Sequence, residues 1–291
     1  MRGNLPHYEM KSPKDLKEAL VLLHKAPGTW RPFAGGTDLM VLLEAGQLSH
    51  HKFINIWNLH DLKGIHDLES AVMLGALTTY GEIRAHPLLT KEYPLLCEAA
   101  RETGAIAIQS RGTLGGNVAN ASPAADSPPA LLVYDAEIEL ISTAGARRLH
   151  YKDFHLGYKK TQMRPDELIY RIILPRTTAG MSQYYRKVGT RKAQAISKVC
   201  FAGLVHVEKG IIRDVRIALG SVAPTAIRCP KTEMALRGRK LDSATIHRAR
   251  DQILKEIAPI DDIRSTADYR QNVVANLLED FLNVELDRSA E

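Results

Sequence analysis

Two glycine pairs constrain this chain more than any other feature in it. One lies in Pro32-Phe33-Ala34-Gly35-Gly36-Thr37-Asp38-Leu39, the other in Arg111-Gly112-Thr113-Leu114-Gly115-Gly116-Asn117. In each, a small polar residue follows the pair. Glycine tolerates φ > 0 and lets bare backbone approach a ligand. Successive amides in such a turn can converge on an anion. One such turn is as readily an ordinary surface turn; two of similar build point to one ligand with two adjacent phosphates, gripped from two sides. Neither stretch ends in Gly-Lys-Ser/Thr, so a P-loop is excluded. Neither has the three-glycine spacing that opens a Rossmann helix.

The rest of the chain bounds the class of protein. Its 291 residues are 45% hydrophobic and 25% charged, the make-up of an ordinary globular protein. The net charge of +6 is modest, and the basic residues are scattered without interleaved aromatics, against nucleic-acid binding. Cys97, Cys200 and Cys229 form no Cys-x-x-Cys pair; they read as buried thiols in a reducing compartment. No segment approaches the ~20 apolar residues of a membrane span, and no signal-peptide run opens the chain, so the expected location is the cytoplasm. The eleven histidines form no metal or triad pattern and read mostly as surface or cap residues.

Local patterns give the element order. Ser12 and Pro13 open a helix with Leu16, Leu20 and Leu23 on one face. A strand over 30–34 enters the first glycine loop, a helix over 39–43 follows with Met40 inward, and 53–56 is a strand. A second unit has a strand over 71–77, a Thr79-Glu82 capping box with Pro87 ending its helix, and a helix over 95–100. Residues 130–134 end a helix, 136–141 alternate as a half-buried strand, and 168–174 form another strand. Beyond a linker at 176–182, residues 184–188, 199–207 and 212–219 read as antiparallel strands with a turn at Glu208-Lys209-Gly210, then helices over 246–257 and 269–286.

Residues 34–39 and 112–117 together resemble the paired loops of the flavin subunit of the xanthine dehydrogenase and carbon monoxide dehydrogenase family. In that family both loops wrap the FAD pyrophosphate. The similarity extends through Phe154 and Gly157-Tyr158-Lys159-Lys160-Thr161, through Tyr185-Arg186-Lys187-Val188-Gly189-Thr190-Arg191-Lys192, through Gly220-Ser221-Val222-Ala223-Pro224 with Arg228, and through 265–270. It implies an α+β fold: a two-part FAD-binding domain of the vanillyl-alcohol-oxidase (PCMH) type, with parts 1–57 and 58–178, then a three-stranded antiparallel sheet with helices over 182–291, of the CO dehydrogenase flavoprotein C-terminal type.

The resemblance also implies the site. FAD is expected without a covalent tether. Amides of residues 34–37 and of Gly115 and Gly116 meet the pyrophosphate, with hydroxyls of Thr37 and Thr113 as further donors. Each bond to a charged oxygen is worth roughly 1.5–3 kcal/mol. Pro32, Phe33, Leu39, Thr103, Leu114 and Asn117 complete the cofactor-binding set. Asp38 reads first as a helix cap. Asp126 is expected toward the ribityl or ring portion of the flavin; as a bare residue it caps the helix opened by Ser127 and Pro128. Ile169 is expected on the isoalloxazine; by itself it is a strand core residue. Lys187 is expected near the flavin, where a cation stabilises the reduced ring; by itself it is a solvated strand lysine. No catalytic side chain or metal ligand is expected on this chain.

In this family a molybdopterin-binding large subunit oxidises the substrate, a small subunit with two two-iron clusters relays electrons, and the flavin subunit passes them to NAD or another acceptor. By the same resemblance a purine or xanthine-type molecule is the first expectation for substrate, with an aromatic heterocycle, an aldehyde or carbon monoxide as the rivals. Two departures stand out: Ile108-Gln109-Ser110 where the family has Ile-Arg-Asn, and Arg191-Lys192-Ala193-Gln194 where it has Arg-x-x-Asp, which puts NAD in question. Three scattered cysteines cannot hold the extra four-iron cluster of the 4-hydroxybenzoyl-CoA reductase branch. The rival reading is a stand-alone flavin oxidase or reductase, but such enzymes often tether FAD through His or Cys near a phosphate loop, and neither loop has one.

Overall fold

The computed structural model describes residues 7–191 and 194–288. Its first layer is a parallel three-stranded sheet, with Lys52–Asn55 central between Glu9–Lys11 and Arg31–Phe33. The helix Leu16–Lys25 packs on it through Leu16, Ala19, Leu20 and Leu23, against Trp30, Ile54 and Ile56. Its cap is Asp15 rather than the expected Ser12: the Asp15 carboxylate accepts the Glu18 amide at 2.8 Å. After the first glycine loop comes the helix Leu39–Glu44. It starts where expected, but its facing is one residue from expectation, with Leu39 buried and Met40 exposed.

The second unit is a five-stranded antiparallel sheet in the spatial order Ile65–Asp67, Ala71–Gly75, Leu168–Pro175, Glu137–Ser142, Gly145–His150. The helix Tyr80–Ala85 carries the expected Thr79-Glu82 capping box, both halves formed. Pro87 does not simply end it; Pro87 is the first residue of the next helix, Pro87–Glu92, where a missing amide proton costs nothing. Pro94–Glu102, Leu114–Asn120 and Ser127–Val133 complete the helical layer. The strand Glu137–Ser142 does not alternate as expected. Glu139 is buried, held by Arg148 at 2.7 Å and Arg171 at 3.3 Å.

The last unit has four strands rather than three: Ser182–Val188, Val199–Glu208 and Ile211–Gly220, with the short Ile227–Arg228 added at one edge. Lys209 and Gly210 make the turn with φ of 52° and 71°. Helices Pro230–Leu236, Ser243–Ile253 and Ala267–Arg288 cover one face around Phe201 and Phe281. The other face joins the second unit, since Ala202, Leu204 and Ala218 share an apolar cluster with Leu131 and Leu132. Arg216 and Arg228 cross the same seam to Asp135, at 2.8 and 2.7 Å. Among the described residues no helix is long and apolar enough to cross a membrane.

Candidate cofactor site

The strand Arg31–Phe33 delivers the chain into the first glycine loop, and each glycine there answers a different steric demand. Gly36 sits at φ +77°, where a side chain is strained, and a Cβ would lie 2.6 Å from the Phe33 ring. On Gly35 a Cβ would lie 1.7 Å from the carbonyl oxygen of Arg111. The two loops are therefore in backbone contact, which only glycine permits. Among the described residues, the amides of Gly35, Gly36 and Thr37 find no acceptor. Buried or half-buried backbone donors without partners are rare, so three in one turn mark a place for an external acceptor.

The second loop behaves differently. Leu114 donates to the Thr78 carbonyl at 2.9 Å and Gly115 to the Ala76 carbonyl at 2.9 Å. Gly116 donates to Thr113 Oγ1 at 3.1 Å, and Asn117 to the Thr113 carbonyl at 3.0 Å. The expectation that the Gly115 and Gly116 amides grip an anion is corrected: both are committed within the chain. The cause is the stretch after Ala71–Gly75, which runs alongside the loop and bridges Thr79 to Thr113. Gly115 is required because a Cβ would lie 2.6 Å from the Ala76 Cβ and oxygen. The Thr113 hydroxyl accepts from Gly116 and so keeps its own proton to donate.

Between the loops lies a cavity of about 600 Å³. Of the residues singled out from sequence, Pro32, Ala34, Gly35, Gly36, Thr37, Asp38, Leu39, Thr103, Thr113, Gly115, Gly116, Asn117 and Ile169 line it. Phe33 and Leu114 do not: Phe33 packs edge-on against Phe53, and Leu114 is fully buried in the core. The sequence reading missed Arg31, Ile56, Ala76, Leu77, Tyr80, Ile108, Met163, Leu168 and Ile196 on the walls. Most are apolar strand-end or helix residues that look like ordinary core. Ala119 and Asn120, just beyond the second glycine stretch, and Thr161, noted only as part of a longer stretch, also line it. Asn117 Oδ1 is buried there with no partner among the described residues.

Asp126 and Lys187 stand behind the wall instead of on it. Their side chains are 9% and 5% exposed and pair at 2.7 Å, and Lys187 also donates to the Glu102 carbonyl at 2.9 Å. The plain readings of both are corrected. Asp126 precedes Ser127–Val133 but makes no side-chain cap bond, because its carboxylate turns to Lys187. Lys187 is not solvated, since its strand neighbours pack it inward. Thr103 links the pair to the cavity: its hydroxyl lies 2.7 Å from the Ala99 carbonyl and 3.4 Å from Asp126 Oδ2. Burial pushes the Asp126 carboxyl up to about 6, with the Lys187 charge and the hydrogen bonds from Lys187 and Thr103 pulling the other way. Asp126 Oδ1 has no partner among the described residues.

Asp38 does not cap its helix either; it accepts from Asn120 Nδ2 at 3.1 Å, across from the second loop. Gln109, in place of the family's Arg, is buried, donates to the Arg101 carbonyl at 2.9 Å, and accepts from Arg84. Lys192 and Ala193 of the other departing stretch lie outside the described residues.

A flavin dinucleotide fits these surroundings on the structure's own terms. The cavity has the volume of a cofactor site, three backbone donors stand without acceptors at one side, and apolar Leu168, Ile169 and Leu77 line another.

The chain matches two family models: the FAD binding domain in molybdopterin dehydrogenase over residues 6–177, and the CO dehydrogenase flavoprotein C-terminal domain over residues 183–284. Among curated relatives, the glyceraldehyde dehydrogenase medium chain of Sulfolobus acidocaldarius is 30% identical over 92% of this chain and 95% of its own. The xanthine dehydrogenase FAD-binding subunit of Escherichia coli is 27% identical over 92% of both chains. The carbon monoxide dehydrogenase medium chain of Hydrogenophaga pseudoflava is 27% identical over 98% and 99%. A solved chain of carbon monoxide dehydrogenase from Hydrogenophaga pseudoflava superposes with a TM-score of 0.90 at 28% identity, covering 94% of this chain and 95% of that one.

Proposed function

This chain belongs to the family of FAD-binding subunits of molybdenum hydroxylases, and we propose that within such an enzyme it carries electrons from the iron–sulfur clusters of a small partner subunit to a final acceptor. In the proposed assembly a large partner subunit holds molybdopterin and oxidises the substrate. The segments 1–57 and 58–178 enclose the cofactor, and 182–291 buttresses it. The location is the cytoplasm, where three unpaired thiols are stable.

The observation that carries this reading is the set of three unpartnered amides at Gly35, Gly36 and Thr37 on the rim of the cavity. FAD, when bound, supplies the redox chemistry. This chain's residues hold it. The first-loop amides and the Thr37 and Thr113 hydroxyls donate to phosphate oxygens. Gly115, Gly116, Leu39 and Pro32 leave room for it, with Phe33 and Leu114 supporting the two loops from behind. Asn117 offers a buried acceptor, and Ile169 an apolar wall for the ring system. The Asp126–Lys187 pair, reached through Thr103, keeps a compensated charge behind that wall.

The proposed substrate of the assembled enzyme is xanthine or a related purine. Relatives of nearly equal identity are named for xanthine, carbon monoxide and glyceraldehyde, so all three belong in the assay of the complex, each with NAD and with an artificial acceptor. The test of the subunit itself comes first. Visible absorption of the purified chain should show a flavin band, and acid precipitation should release the chromophore into the supernatant. Affinity capture should bring down two partners, one rich in iron and one in molybdenum. Protein that stays colourless after incubation with FAD contradicts the cofactor assignment. A flavin that remains with the precipitate, and capture without partners, supports a stand-alone oxidase.

A further inference from the structure

The Asp38 carboxylate poses a problem for the site just described. It lines the cavity one residue beyond the unpartnered amides, where a diphosphate brings further negative charge. Like charges at close range disfavour the complex. The structure supplies a counterweight from the other side of the cavity. Asn120, also on the lining, donates Nδ2 to Asp38 at 3.1 Å, and the Lys159 ammonium donates to Asn120 Oδ1. A carboxylate, an amide and an ammonium thus form one chain from the first glycine loop to the hairpin that follows the second.

Lys159 is held there at a cost in backbone conformation. It occupies the turn between His155–Gly157 and Lys160–Thr161 at φ +55°, and Ala121, which ends the helix Leu114–Asn120, sits at φ +48°. Such angles are unfavourable for residues with a Cβ. The two residues are tied to each other, Lys159 donating its amide to the Ala121 carbonyl at 3.2 Å. The hairpin is pinned a second time by the His155 ring, whose Nε2 lies 2.8 Å from the Val118 carbonyl. Lys159 is exposed; desolvation by its neighbours and the Arg31 charge oppose the ammonium, and Asp38 favours it. Asn120 takes one of its three N–H groups.

We propose that Lys159 is a specificity determinant of the cofactor site: through Asn120 it offsets Asp38, and so lets the cavity accept a flavin that bears a diphosphate in preference to one that bears none. This rests on the FAD reading above and goes beyond it, because it assigns a role to a residue outside both glycine loops. Its signature is charge-specific. Removing the ammonium leaves Asp38 uncompensated beside the phosphates but leaves the walls of the ring-binding region untouched.

The experiment is an equilibrium titration of the full chain, freed of flavin, with FAD and with riboflavin, followed by flavin fluorescence. Lys159→Gln should weaken FAD about tenfold at low salt and riboflavin less than twofold. Lys159→Arg should stay within about threefold of the parent, since the charge remains. Adding Asp38→Asn to Lys159→Gln should restore most of the lost FAD affinity, and Asp38→Asn alone should strengthen FAD. Near 0.5 M salt, where the screening length falls to roughly 4 Å, the Lys159→Gln defect should shrink. Unchanged FAD binding in Lys159→Gln, equal losses of FAD and riboflavin, or no rescue by Asp38→Asn would each overturn the proposal. Should Lys159→Gln fail the thermal-melt check for folding, Asp38→Asn decides: no gain in FAD affinity rejects the role given to Lys159. Parent protein that binds no FAD refutes the cofactor reading instead.

Discussion

The two glycine loops look alike as strings of residues and do opposite work as backbone. In the first, the amides of Gly35, Gly36 and Thr37 are left without acceptors. In the second, Leu114, Gly115, Gly116 and Asn117 spend theirs on Thr78, Ala76 and Thr113. The difference lies in what each loop packs against. At the first, a Cβ on Gly35 would meet the Arg111 carbonyl and one on Gly36 the Phe33 ring, and no carbonyl among the described residues takes these amides. The second lies against residues 76–79, whose carbonyls capture it. A glycine pair thus fixes where two segments approach closely, while the neighbouring backbone decides whether the amides serve a ligand or the fold.

This contrast can be tested by separating stability from affinity. The largest stability loss should come from neither loop but from the buried pair behind them. Lys187→Met strands the Asp126 carboxylate and should cost about 3–5 kcal/mol in urea unfolding at pH 7. The loss should be smaller at pH 5, where Asp126 takes up a proton. Gly115→Ala forces a methyl against Ala76 and should cost about 1–3 kcal/mol, while FAD affinity in the folded fraction falls only a few-fold. Gly36→Ala should reverse that balance: about 1–2 kcal/mol of stability for the positive φ, but at least a tenfold loss in FAD affinity by fluorescence titration. Equal stability and affinity profiles for the two alanine variants would erase the distinction between the loops. Thr113→Val, which removes the hydroxyl that accepts the Gly116 amide, should cost about 1 kcal/mol.

The buried pair also sets a pH dependence. The folded carboxyl of Asp126 is raised to about 6 from an ordinary value near 3.8. A raised group contributes stability that is present below the unfolded value and is lost as pH rises through the folded one. Relative to Asp126→Asn, the parent should therefore lose stability between about pH 4 and 6, and chemical denaturation across that range measures it. A difference that stays flat would place the Asp126 carboxyl near its ordinary value.

Much of the local structure was legible because its causes are local. The Leu16, Leu20 and Leu23 spacing, the Thr79-Glu82 box and the Lys209-Gly210 turn each involve residues a few positions apart. The glycine loops were legible as places of close approach. What failed to show was partnership across the chain. Lys187 reads as solvated until Asp126, 61 positions earlier, is brought beside it. Glu139 reads as the polar side of an alternating strand until Arg171 reaches it from the neighbouring strand. Gly115 reads as a phosphate donor until Ala76 supplies the acceptor. Apart from Arg31, the extra wall residues of the cavity carry no sequence signal beyond being largely apolar.

The most direct test of the account is amide exchange resolved by residue, measured with and without saturating FAD. The amides of Gly35, Gly36 and Thr37 should exchange quickly in the free chain and become strongly protected when FAD binds, while those of Gly115 and Gly116 should be protected in both states. Protection gained at Gly115 and Gly116, with Gly35 to Thr37 unchanged, would contradict the division of labour between the two loops.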